Sequence, residues 1–191
     1  AIAASKMTPE FIHVEAGIRS FDRGMPEEVN RVVADCVADL AFTPTSTATE
    51  NLRQEAFDGD SYMVGNTIAD VCKQYLPVAK ERSTILDTLG LESEEYILTT
   101  IHRPINTDNE ERLLEILNSI NDVSVPVVFP AHPRTVDKID EKSSFNGINI
   151  ISPLNYTDFL ALTDESLFVV TDSGGLQEEA SILEVPCLTV R

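Results

Sequence analysis

Leu167-Phe168-Val169-Val170-Thr171-Asp172-Ser173-Gly174-Gly175-Leu176-Gln177-Glu178-Glu179-Ala180 passes from a β-branched and aromatic run, through two glycines, into residues that favour a helix. That order is how an α/β protein aims the free backbone N–H groups of a helix start at a bound phosphate. Glycine suits the turn because a Cβ would hold phosphate oxygens away, and because positive φ is open to it. Taken alone, the segment reads equally well as a tight strand-to-helix turn with nothing bound, since short glycine motifs recur without ligands.

The same grammar extends outward. Apolar runs at 11–14, 40–43, 61–64, 96–101, 127–129, 148–151, 167–170 and 187–190 are mostly continuous, as expected of parallel strands covered on both faces. Helical patterns fill the gaps. One is expected over 27–39, with Val29, Val32, Val33, Cys36 and Val37 on an apolar stripe. Thr47-Ala48-Thr49-Glu50 and Thr107-Asp108-Asn109-Glu110 fit the capping-box pattern, and Leu113, Leu114, Ile116, Leu117 and Ile120 follow the second as a core-facing stripe. Between Asn66 and Glu95 the pattern lengthens into a helical stretch containing Pro77, and strand–helix alternation then restarts. The fold class is therefore α/β: two Rossmann-like domains, each a parallel sheet flanked by helices. The first occupies 1–70, the second 71–191, and both ends read as interior to a longer protein.

Composition narrows the function. The chain has 191 residues, 42% of them hydrophobic, and a net charge of −18 from 32 acidic and 14 basic side chains. Such a balance argues against nucleic acid or an anionic membrane as partner, because phosphate backbones need a Lys/Arg surface. Most of the charge reads as a solvated face, and a salt-adapted source is one expectation from it. No apolar run approaches a membrane span and nothing resembles a signal peptide. Cys36, Cys72 and Cys187 are odd in number, far apart and set among apolar residues, which fits a reducing cytoplasm better than a disulfide framework. No P-loop, complete G-x-G-x-x-G or metal-ligand cluster occurs, so neither a cofactor nor a metal ion is expected.

Polar residues collect at strand ends. His13, His102 and His132 each stand at the close of an expected strand, the edge of an open parallel sheet where ligands bind. His102 is followed by Arg103, a donor and a fixed cation suited to a pyrophosphate. His132-Pro133-Arg134-Thr135 repeats the theme, for the same cleft or a second anion site. For His13, packing or a hydrogen bond is the expected role. Glu15, between a buried strand and a glycine turn, is expected to be partly desolvated and useful for proton transfer. Glu27 and Glu28 open the helix announced by Pro26, where its dipole stabilises them, and Arg31 lies at i+4 from Glu27. No serine or cysteine nucleophile is indicated.

His13-Val14-Glu15-Ala16-Gly17-Ile18-Arg19, Pro26-Glu27-Glu28-Val29-Asn30-Arg31, Val64-Gly65-Asn66-Thr67, His102-Arg103 and the Thr171–Glu179 segment together resemble the non-hydrolysing UDP-N-acetylglucosamine 2-epimerases, in order and approximate spacing. The resemblance implies a GT-B arrangement, a UDP-sugar substrate and a homodimer. It implies interconversion of UDP-GlcNAc and UDP-ManNAc by elimination and re-addition of UDP through an unsaturated 2-acetamidoglucal. By matching position, Glu15 and Glu27 are the acidic residues near the sugar, Arg31 orients them, and His102 stabilises the departing diphosphate. Ser173, Gly174 and Gly175 would hold phosphate, Glu179 the ribose hydroxyls, Phe159 the uracil side, with Arg103 and Arg19 in support. His132 matches a position near a second, activating UDP-GlcNAc in bacterial members.

Two departures stand out: Leu154 occupies a place where some members carry Gln, and Pro104-Ile105-Asn106-Thr107-Asp108 is unlike the longer bacterial segment, which bears on activator dependence. The family's phosphate-contacting residues before Ala1 and after Arg191 are missing, so this stretch alone is expected to be inactive. The rival readings are a hydrolysing 2-epimerase, a GT-B glycosyltransferase and a non-catalytic UDP-sugar-binding fragment.

Overall fold

The computed structural model describes residues 1–139 and 145–190. Two compact units divide the chain, Ala1–Thr67 and Ile68–Arg191. In the first, after a 3-10 turn at Ala4–Lys6, β1 (Ile12–Val14), α1 (Pro26–Cys36), β2 (Leu40–Thr43), α2 (Ser46–Gln54) and β3 (Asp60–Met63) alternate. The sheet is parallel in the order β1-β2-β3.

This unit departs from the expected pattern of buried strands. Its apolar core is small, Ala16, Ala41 and Leu52 with Phe57 against them. β3 is exposed along its length and β1 leaves Ile12 and Val14 about half exposed. The expected apolar stripe of α1 is likewise not the buried one: Val29 and Cys36 are exposed, and the residues the helix buries are Glu28 and Asp35. Both acids have internal donors, which removes the usual penalty for burying a carboxylate. α1 also ends at Cys36 instead of 39, because Asp39 is taken up in tying down β1. Its carboxylate accepts from Phe11 N at 2.7 Å, and its own N–H reaches Phe11 O at 2.9 Å.

The second unit contains α3 (Thr67–Arg82, with Pro77 inside), α4 (Ile85–Leu89), β4 (Ile97–Thr100), α5 (Pro104–Thr107), α6 (Glu110–Asn121), β5 (Val127–Pro130), α7 (Pro133–Val136), β6 (Ile148–Ile151), α8 (Tyr156–Asp164), β7 (Phe168–Thr171), α9 (Gly174–Ile182) and β8 (Cys187–Thr189). Five parallel strands lie in the order β6-β5-β4-β7-β8. Here the continuous apolar runs mean what they were expected to mean. Leu98, Val128 and Val169 pack with α8 and α9 on one face, while their neighbours Ile97, Val127 and Val170 pack with Leu113, Leu117 and Ile120 of α6 on the other. Successive side chains of a strand point to opposite faces, so a strand buried on both must be apolar throughout.

Both capping assignments shift. Thr45 caps α2, accepting from Ala48 N, and Asn109 caps α6, accepting from Arg112 N; Thr47 and Thr107 cap neither. In each case a good cap residue stands two positions from the expected one, and the pattern alone does not choose between them. Of the cysteines only Cys72 is buried; Cys36 and Cys187 are exposed. No helix among the described residues is long and apolar enough to cross a membrane.

Candidate functional site

In the strand order of the second unit, chain connections run outward in opposite directions from β4 and β7. The gap between the carboxyl ends of these two neighbours is a topological switch point, where no crossover covers the sheet edge and ligands of open α/β sheets bind. β4 delivers His102 and Arg103 there, and β7 delivers Asp172 and Ser173. A cavity of about 540 Å³ opens at this edge, and His102, His132, Phe159, Ser173, Gly175 and Glu179 all line it. Six of the expected site residues are thus brought together within one unit.

Asp172 organises the edge, a role the sequence reading missed. Its side chain is fully buried, yet it accepts from the N–H groups of His102 at 3.1 Å and Arg103 at 2.9 Å, and from Asn106 Nδ2 at 2.9 Å. His102 Nδ1 lies 3.1 Å from its other oxygen. Burial alone would push this carboxyl up, but the donors from His102, Asn106 and the Arg103 and His102 backbone outweigh it and hold the pKa at about 2. A carboxylate at Nδ1 requires that nitrogen to be the donor, which leaves Nε2 for a ligand. The available signal was half of the pair: an acid directly after an apolar strand must find several donors, but those donors follow another strand, 66 to 70 residues away.

Ser173 caps α9, its hydroxyl accepting from Leu176 N at 3.3 Å. The N–H groups of Gly174 and Gly175 belong to the first helical turn, where no preceding carbonyl is available to them. Neither glycine has positive φ, contrary to expectation; both follow ordinary helical geometry. The space beside them is open: a Cβ on Gly174 would meet nothing within 4 Å and one on Gly175 would meet only Ser173 Oγ at 4.0 Å. The helix start is left bare for an anion to approach.

Deeper in the cavity, Glu179 is raised above the ordinary carboxylate range, chiefly by burial; the Tyr156 hydroxyl works against this and the Glu178 charge adds to it. Tyr156 itself is pushed up by burial, and its hydroxyl lies 3.6 Å from Cys72 Sγ. His132 caps the short helix α7, its Nδ1 accepting from Arg134 N at 3.3 Å. Arg103 contributes its backbone N–H to Asp172, and Gly174 lies at the rim, outside the cavity wall.

The other expected residues lie in the first unit. Glu15 follows β1 and has φ of +69°. It is partly buried, as expected, although β1 is not: its side chain is 36% exposed, with Arg31 Nη2 at 3.3 Å from Oε1 and Arg31 Nη1 at 3.4 Å from its carbonyl oxygen. Arg31 therefore reaches Glu15 and not, as the i, i+4 spacing suggested, Glu27. Glu27 is exposed in the first turn of α1, whereas Glu28 is buried and accepts from Ser20 N, Ser20 Oγ and Phe21 N. The Ser20 backbone N–H, foremost, holds the Glu28 carboxyl below its ordinary range despite burial.

His13 lies inside β1, not after it, and its Nδ1 meets Asp35 Oδ1 at 2.5 Å. Arg19 is buried between Asp35, 2.6 Å away, and Glu55, also at 2.6 Å. A concavity of about 490 Å³ touches Asp35 and Glu55, the two carboxylates already paired with Arg19, and is also lined by Arg23 and Asp58. Among the described residues no group of three or more His, Cys, Asp or Glu is placed to hold a metal ion.

A family model described as UDP-N-acetylglucosamine 2-epimerase matches residues 1–191. A UDP-N-acetylglucosamine 2-epimerase of Methanococcus maripaludis is 43% identical over all of this chain and 56% of its own length. A UDP-2,3-diacetamido-2,3-dideoxy-D-glucuronate 2-epimerase of Pseudomonas aeruginosa is 39% identical over all of this chain and 54% of its own. The solved structure of Methanocaldococcus jannaschii UDP-GlcNAc 2-epimerase in complex with UDP-GlcNAc and UDP superposes with a TM-score of 0.87 at 40% identity, covering all of this chain and 56% of that one. The chain spans a little over half the length of the curated relatives it matches.

Proposed function

Since the chain belongs to the UDP-N-acetylglucosamine 2-epimerase family, with the GT-B type of fold its structural neighbours share, we propose that the protein carrying it interconverts UDP-GlcNAc and UDP-ManNAc. The observation that carries this reading is the switch-point edge, where His102 is oriented by Asp172 beside the bare start of α9. A diphosphate bears the charge that both features favour. Ser173, Gly174 and Gly175 hold its oxygens, and His102 as the imidazolium, its Nδ1–H kept by Asp172, donates Nε2–H to the diphosphate as it leaves C1. Arg103 adds a fixed cation nearby. Phe159 packs against uracil and Glu179 accepts from the ribose hydroxyls.

In the first unit Glu15 and Glu27 handle the C2 proton, one taking it from one face of the sugar and the other returning it to the opposite face, with Arg31 orienting Glu15. Loss of the C2 proton together with UDP gives an unsaturated 2-acetamidoglucal, and UDP adds back after reprotonation. Two faces require two proton-handling groups, because one fixed carboxylate returns the proton to the side it came from. The acidic surface makes a soluble substrate a better partner than nucleic acid or membrane. Residues 1–70 form the later part of the first domain and 71–191 the UDP-binding domain. A cytoplasmic homodimer and a second UDP-sugar site at His132 complete the proposal.

Incubating the intact protein with UDP-GlcNAc in D₂O tests it. UDP-ManNAc carrying deuterium at C2 is the expected product. Free ManNAc with UDP would identify a hydrolysing enzyme, a requirement for an acceptor would identify a glycosyltransferase, and UDP binding without exchange would identify a binding module. The Pseudomonas relative favours a second sugar, a 2,3-diacetamido uronate, for the same chemistry. Offering both nucleotide sugars in competition decides which is turned over faster.

A further inference from the structure

Glu15 occupies a backbone conformation that only glycine adopts without cost, at φ +69°. Such a residue persists only where its surroundings over-determine it. The carboxylate of Asp35, 2% exposed and twenty residues further along, supplies the restraint from both sides. Two residues before Glu15, His13 Nδ1 meets its Oδ1 at 2.5 Å; two residues after, Gly17 N donates to its Oδ2 at 3.1 Å. Four residues after, Arg19 Nη1 lies 2.6 Å from the same Oδ2. One buried carboxylate therefore brackets Glu15.

The back of the loop is closed as well. Gly17 O accepts from Asn51 Nδ2 at 2.9 Å, and Ala16 N donates to Phe42 O at 3.0 Å. A Cβ on Gly17 would stand 2.2 Å from Ala48 O, so the loop rests directly on α2. The Glu15 carboxylate itself takes no part in this network. It stays a third exposed, facing Arg31 alone among the described residues. A main chain held rigidly with its acid left accessible is what a positioned proton-transfer group needs.

We propose that Asp35 is a positioning residue for Glu15, acting through His13, Gly17 and Arg19 to set where the carboxylate meets the sugar. The inference rests on the reading that Glu15 handles the C2 proton, and the test separates the two. In the intact protein, turnover of UDP-GlcNAc, C2 deuterium exchange and UDP affinity are measured for Glu15→Gln and Asp35→Asn. Glu15→Gln loses roughly 10²-fold in turnover, the scale for an acid–base group. Asp35→Asn loses between ~10- and ~100-fold in kcat and in exchange, as a displaced group does, with KM and UDP affinity about unchanged.

His13→Ala and His13→Asn provide a milder pair that keeps the question open to measurement where Asp35→Asn does not fold. Asn offers an Nδ2 donor in place of the ring nitrogen, so turnover lost in the Ala variant returns in the Asn variant. Full turnover in Glu15→Gln would overturn the assignment of Glu15 and the positioning role with it. Full turnover in Asp35→Asn beside an inactive Glu15→Gln would overturn the positioning role alone, as would equal turnover in the two His13 variants.

Discussion

The two units cover short parallel sheets with different chemistry. The second buries apolar side chains on both faces of five strands. The first has a handful of buried apolar residues and relies on Arg19, Asp35 and Glu28, each nearly or fully buried and each satisfied by partners several residues to tens of residues away. Apolar packing tolerates small displacements because it is non-directional; ion pairs and hydrogen bonds weaken steeply with misalignment. The unit that carries Glu15 and Arg31 is the one whose interior depends on exact angles, while the unit proposed to grip UDP rests on a conventional core with polar groups confined to one edge.

Arg19→Met is the sharpest way to break this contrast. It strands the Asp35 carboxylate in the interior with only His13 and Gly17 for company, and a buried pair that loses one partner costs roughly 3–5 kcal/mol. Chemical denaturation should show the first unit unfolding well before the second. Two coincident transitions shifted together would mean that the units share their stability.

Leu162→Ala is the counterpart in the second unit. Leu162 is fully buried in the cluster on the α8–α9 face, and its truncation leaves a cavity worth about 3 kcal/mol. The loss is expected in the second unit's transition, with the first unit's midpoint unchanged.

Acid weakens both units through a buried carboxylate in each. Asp172 titrates at about 2 when folded, below its ordinary value, so its contribution is present above the unfolded value near ~3.9 and disappears as pH falls through the folded one. That contribution is on the order of 2 kcal/mol. Asp35 is also lowered, burial opposing and His13, Arg19 and the Gly17 N–H prevailing, so it loses stability in the same direction. Glu179 is raised and has the opposite sign: its share is present at low pH and lost as pH rises through its folded value. Melting followed from pH 6 to pH 2 should fall for wild type and fall less for Asp172→Asn; an unchanged slope in that variant would remove Asp172 from the account.

The smallest change is Ser173→Ala, which removes the cap of α9 and costs about 1 kcal/mol. It should also weaken UDP binding measured by calorimetry. Lost stability with full affinity would reduce Ser173 to a cap.

Much of this was legible in the residue order. The eight strands among the described residues fall within a residue or two of the apolar runs, and the cavity collects His102, His132, Phe159, Ser173, Gly175 and Glu179 as a set. Asp35, Asp172 and Glu28 were missed for different reasons. The donors of Asp35 and Asp172 lie 16 to 70 residues away, beyond the reach of a local pattern, whereas Glu28 turns back to Ser20 and Phe21, 8 and 7 residues before it, where no pattern marked a loop folding onto the helix start. The stripe expected on α1 failed because periodicity reports which face differs, not which face is buried. Gly174 and Gly175 were expected to relieve a left-handed turn and do not; Glu15 and Gly17 are among the residues that adopt that conformation.

The placement of the three cysteines gives the protein an optical ruler. Cys36 is exposed in the first unit, Cys187 is exposed in the second, and Cys72 is sealed away with its thiol pushed up by burial. Burial also pushes up the Cys187 thiol, which slows its alkylation because the thiolate is the reacting form. Within this stretch of chain, a donor dye on one exposed thiol and an acceptor on the other read the separation of the two units by energy transfer.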